Sequence, residues 1–248
     1  MRSTLSIRPL VGVCALVALL AVTLSAANPL PEGNGALAAD IAFLQKGLSK
    51  EPQKREVTTL KAVAMLVALN AQNNSAGKDA AKMAGVRDAA LKVAEAVTKK
   101  DYAGAKTAAA ALSAPKSGGE AKAMPLETMH NFDLAELMSS FRKGTVGGLN
   151  LEADIKAQGK AVTNVAAAGV IGGRVALIGD YTLLMPPSEV NDATKKKQWA
   201  DWSKEMTTIS TDIAKEAAKG DKADKAALVK QFKALELNCT ACHNVFRN

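Results

Sequence analysis

Trp199, Trp202, Met206, Ile209 and Ile213 recur at intervals of three and four residues, and an α-helix gathers that spacing into one apolar stripe. No stretch of the chain shows the sustained period-two alternation that a half-buried strand requires, while Ala is abundant and only 4% of residues are aromatic. The chain therefore reads as all-α.

The stripe belongs to a helix predicted over residues 192–219, ended by Gly220-Asp221, with a further helix from 222 to the C-terminus. Upstream, one long helix is predicted over 151–184, disturbed at Gly169, Gly172 and Gly173 and stopped by Pro186-Pro187. Another covers 126–143 and is closed by Gly144, Gly147 and Gly148. Before Pro115 the pattern predicts shorter helices over 36–48, 53–73, 78–100 and 102–113. Pro115-Lys116-Ser117-Gly118-Gly119 opens a linker over 115–124, which divides a helical domain at 28–114 from a second domain at 125–248. A shift of 120 aligns Val86 with Met206, Val93 with Ile213, Asp101 with Asp221 and Leu112 with Phe232. Two readings stay open, a degenerate internal repeat and two halves alike only because Ala-rich helices resemble one another.

Arg2 and Arg8 precede or flank an apolar run to Leu24, and Ser25-Ala26-Ala27 supplies small residues for cleavage. That pattern predicts a secretory signal peptide over 1–27, with Cys14 inside its apolar core, and an exported, soluble, periplasmic protein. No later segment is expected to span a membrane after cleavage. The signal carries two arginines and no acid, so its loss lowers the formal net charge of +8 by two. Lys and Arg alternate with Asp and Glu and aromatics are few, so the basicity reads as a solvated helical surface that suits an acidic partner, not as a nucleic-acid site.

Of three cysteines, the two outside the signal sit in Cys239-Thr240-Ala241-Cys242-His243. On a helix these residues, at i, i+3 and i+4, project from one face. The pattern is the attachment motif for c-type haem, with two thiols for thioether bonds and an imidazole for the iron. A redox disulfide would leave the adjacent His unexplained, and a zinc site needs about four ligands. The chain has one other His, His130, and no further Cys once Cys14 leaves. One covalent haem is expected. Residues 28–124 contain neither Cys nor His, so the first domain is expected to hold none.

The last five residues contain no Met, so an axial Met has to come from upstream of the motif. Cys239-Thr240-Ala241-Cys242-His243-Asn244-Val245-Phe246-Arg247, with Trp199-x-x-Trp202 and the Gly220-Asp221 turn, resembles the C-terminal part of class II cytochromes c, the cytochrome c-prime and cytochrome c556 group. The likeness covers about residues 125–248. It implies an antiparallel four-helix bundle with haem between helices. It also implies His243 as the proximal iron ligand, Phe246 beside the proximal face, and Arg247 near the imidazole or a propionate.

The same resemblance puts the distal position near Thr128 or Met129. His130, Leu134, Leu137 and Phe141 form an apolar stripe that Met138 joins, so Met129, Met138 and His130 all stand as candidate distal ligands. Met65, Met83, Met185 and Met206 read as core or loop residues. No Ser-His-Asp set or Gly-rich phosphate loop appears, and the chain is not expected to be an enzyme. The leading expectation is a periplasmic mono-haem electron carrier, served by the cytochrome c maturation machinery and by an unidentified redox partner protein, with a homodimer left open. The alternative is a five-coordinate binder of nitric oxide or carbon monoxide.

Overall fold

The computed structural model describes residues 35–75, 79–115, 133–144 and 148–246. Among the described residues the fold is all-α, with nine α-helices and no strand. The helices are α1 (Ala36–Gly47), α2 (Lys54–Asn73), α3 (Ala80–Thr98), α4 (Tyr102–Ala111), α5 (Leu134–Met138), α6 (Leu151–Lys160), α7 (Val165–Leu184), α8 (Ala193–Ala217) and α9 (Lys225–Phe246).

Local chemistry sets most of the boundaries. Gln53 and Glu56 form a capping box at the start of α2, with the Gln53 N–H donating to Glu56 Oε2 at 2.7 Å. Asp101 caps α4, Asp133 caps α5 and Asp192 caps α8, each carboxylate accepting a first-turn backbone N–H. The α9 turn is capped by Asp224, which accepts from Ala226 and Ala227. The helix-start aspartates of α4 and α9 are thus Asp101 and Asp224, not the Asp101 and Asp221 that a shift of 120 pairs. Gly220 takes φ +59°, the left-handed turn for which the sequence supplies a glycine.

Two predicted helices are corrected. The one expected over 151–184 is two, because the backbone extends at Ala161 and a new start is capped by Asn164, whose side chain accepts from the Ala167 N–H at 3.0 Å. Gly172 leaves α7 unbroken and serves packing instead. A Cβ there would meet Ser210 O and Ile213 Cγ2 at 2.8 Å and Ala214 N at 2.9 Å, so the glycine lets α8 lie directly on α7. The helix expected over 126–143 begins, in its described part, only at Leu134. Asp133 is extended at φ −72° and ψ 131°, and the last turn tightens into a 3-10 turn at Ser139–Phe141. Helix α7 is long and apolar enough to cross a membrane by length and composition, and most of it is buried within the protein.

In the first half α2 packs on α1 and α3, α3 on α4, and α4 back on α1. In the second, α8 packs on α7 and α9, α9 on α6, and α6 more lightly on α7. One continuous apolar core runs through both sets, from Leu44, Leu66 and Val93 to Val175, Ile213 and Phe232. The halves meet where α1 and α2 touch α7 and α5. There Arg174 of α7 donates to the fully buried Asp40 of α1, its Nε at 2.8 Å from Oδ1, and Lys61 of α2 pairs with Glu136 of α5. Burial raises the Asp40 carboxyl to about 6 despite the opposing pull of Arg174.

Candidate functional site

Helix α9 turns Leu228, Phe232, Leu235 and Asn238 into the protein. Asn238 is the polar member of that buried face. Its side-chain N–H donates to Glu205 Oε2 of α8 at 2.8 Å, which fixes the turn of α9 just before Cys239 against its neighbour. Beyond this pin, Cys239, Cys242 and His243 all line one cavity of about 550 Å³, within the roughly 300–1,000 Å³ typical of ligand pockets. The walls come from α5 and the residues after it, α6, the last turn of α7 and the residues after it, α8 and α9.

The aromatic wall follows from the α8 stripe. Trp199 is buried and donates its indole N–H to Thr182 O at 2.8 Å, a carbonyl in the last turn of α7 that also accepts the Met185 N–H at 3.1 Å. Phe246 stands edge-on to both indoles, its ring centroid 5.3 Å from that of Trp199 and 5.7 Å from that of Trp202. Phe246 thus joins a specific aromatic cluster in the cavity wall, and Pro186 and Pro187 extend the apolar lining.

Both cysteines are free and partly buried, whereas His243 is exposed at the cavity. Burial pushes each thiol up to about 11, and the neighbouring Cys242 adds to the rise at Cys239. At about 11 each is a neutral thiol at pH 7, the form in which a buried sulfur carries no charge into an apolar wall. Among the described residues no group of three or more His, Cys, Asp or Glu side chains is arranged to hold a metal ion directly. A haem asks something different of these residues: two thiols and one axial imidazole beside an apolar slot. The donor set fits that group. A second observation agrees, since Ser203 is 2% exposed, lines the cavity, and its hydroxyl has no hydrogen-bond partner among the described residues.

Of the candidate distal ligands, Met138 lines the cavity. Met129 and His130 lie outside the described residues, as do Thr128, Arg247, the signal segment and most of the linker. Met185 and Met206, read from sequence as core or loop residues, also line the cavity, so three thioethers face the space beside the motif. Ser203 and Asn238 had a sequence signal that went unused. Each is a polar residue on a buried apolar stripe, Ser203 one turn from both Trp199 and Met206, and Asn238 one turn from Leu235. Comparison with family models, curated proteins and solved structures finds no match to this chain.

Proposed function

We propose that this chain is an exported class II-like c-type cytochrome that carries electrons and is not an enzyme. The observation that carries the reading is the convergence of Cys239, Cys242 and His243 on one apolar cavity walled by Trp199, Trp202 and Phe246. When bound, a haem supplies a one-electron iron couple that the polypeptide lacks. Cys239 and Cys242 would hold the macrocycle covalently, and His243 would offer its imidazole nitrogen to the iron from the same turn of α9. The aromatic cluster and Met206 would keep water from the bound group, and the exposed His243 stands where a redox partner could approach. The closed neighbour set of α6, α7, α8 and α9 supports the four-helix arrangement of this class, with α5 as an added wall.

The test is production with and without a cytochrome c maturation system. Haem that stays on the polypeptide through denaturation and acidic organic extraction, in one equivalent per chain, is the expected result. Complete extraction from the intact protein sinks the reading. The three methionines in the wall favour a low-spin iron with an axial thioether over the gas-binding alternative. Spectra of the wild type and of Met129→Ala, His130→Ala, Met138→Ala, Met185→Ala and Met206→Ala decide between them. A high-spin wild-type spectrum, indifferent to all five changes and rapidly converted by carbon monoxide, moves the assignment to the gas binder.

A further inference from the structure

Ser203 carries a buried polar atom in the α8 wall of the cavity. It lies on α8 between Trp199, one turn before, and Met206, one turn after, and all three line the cavity. Its hydroxyl is buried with no hydrogen-bond partner among the described residues. An unsatisfied buried hydroxyl costs about 1–3 kcal/mol, and Ala would fit the same helix without that cost. The hydroxyl therefore calls for a polar atom on whatever fills the cavity. A haem carries two polar groups at its periphery, the propionate carboxylates; the rest of its edge is hydrocarbon.

The cavity wall is of mixed charge, with three carboxylates and two cations, and one of those cations is left without an ion pair among the described residues. The charged and titratable groups in the wall are Asp133 at the start of α5, Arg142 after it, Glu152 and Lys156 on α6, and Glu236, His243 and the two thiols Cys239 and Cys242 on α9. The α8 wall and the turn after α7 contribute none. Lys156 is already engaged by Glu152 at 2.7 Å, whereas Arg142 has no ion pair among the described residues. The Arg142 backbone is clamped, its carbonyl accepting from the Asn150 N–H at 2.9 Å. A carboxylate reaching Ser203 would meet a hydroxyl donor on one wall and a guanidinium in another.

We infer that Ser203 donates a hydrogen bond to a haem propionate, with Arg142 as the counter-charge in the same cavity. This rests on the proposed haem attachment and adds the residues that set the ionisation of its carboxylates. A donor to the ionised form lowers a carboxyl pKa. The wild-type midpoint potential should consequently change little with pH between about 5 and 7, values below which a propionate so held titrates.

The experiment is spectroelectrochemical titration against pH of the full-length haem protein as wild type, Ser203→Ala, Ser203→Thr and Arg142→Gln, each first checked for one covalent haem by mass. In Ser203→Ala the potential should fall with rising pH inside that window. Its inflection should move up by about one pH unit, a tenfold gain in proton affinity matching the loss of one hydrogen bond to a charged group. Ser203→Thr keeps the hydroxyl and should retain the wild-type profile, while Arg142→Gln should move the inflection the same way as the alanine. A haem-bearing Ser203→Ala with an unchanged pH profile overturns the inference, and altered carbon monoxide binding in that variant would assign the hydroxyl to an iron-bound ligand instead. A wild type that acquires no haem overturns the proposed function as well.

Discussion

The two halves of this chain share a packing scheme and differ in what fills it. In each, four helices close a ring of neighbours: α1 to α4 in the first, α6 to α9 in the second. The first half has only Phe43 and Tyr102 as aromatic residues, and α2 buries an unbroken run from Ala62 to Leu69 in which Met65 is the only unbranched long side chain. Small and branched side chains of that kind let helices close up to full density. The second half sets Trp199, Trp202 and Phe246 at one end of its helices, and rigid rings braced edge to face cannot collapse into the space beside them. A cavity here is the result of where the large residues stand, not of a different topology.

The largest effect that would break this comparison is on the cofactor. Cys239→Ala and Cys242→Ala should each weaken covalent retention of haem under denaturing extraction, and mass spectrometry should find one haem per chain with none on residues 28–124. A haem held by the first half would erase the contrast between a filled and a hollow ring.

A second expectation concerns the joint between the halves. Asp40 sits at about 6 in the folded protein against an ordinary 3.8, chiefly because burial disfavours its charged form. The folded state therefore binds that proton more tightly than the unfolded one. The contribution to stability is complete below about pH 4 and is lost as pH rises through 6, a change on the order of 3 kcal/mol. Denaturant unfolding at pH 4 and pH 7.5 should show the fall, and Asp40→Asn should flatten it. A smaller slope should remain from Asp154 and Asp180, which burial also raises. An unchanged slope in Asp40→Asn would remove the buried pair from the account.

Smaller effects sharpen the second half alone. Gly172→Ala should destabilise by about 1–3 kcal/mol, because the added carbon meets backbone of α8 that cannot turn aside. Trp199→Phe keeps a ring in the wall but drops the N–H donated to Thr182 O, and should cost about 1 kcal/mol. Thermal melts resolve both, and a Gly172→Ala protein as stable as the wild type would mean that α7 and α8 do not lie this close.

Most helices were legible because a period of three and four residues writes burial directly into the chain, as in the α8 stripe. The break at 161–164 was not, since it contains neither Gly nor Pro and rests on one capping side chain, Asn164. The glycines of α7 were misread because a helical glycine marks either a weak point or a close neighbour, and only the neighbour tells which. At the site, Cys239, Cys242 and His243 were legible as a local motif. Met185, Met206, Ser203 and Asn238 were not assigned, because their roles come from helices distant in sequence sharing one wall.

Arg174 stands near the middle of α7, the helix with the length and apolar content of a membrane span. An arginine at the centre of a bilayer costs about 2.5–3.5 kcal/mol on insertion scales. For a chain exported as proposed, that cost discourages α7 from partitioning sideways into lipid while the polypeptide is threaded across. The side chain that later fastens α1 in the folded protein would thus first act during translocation, as a pass-through mark on the one described segment apt to stop there.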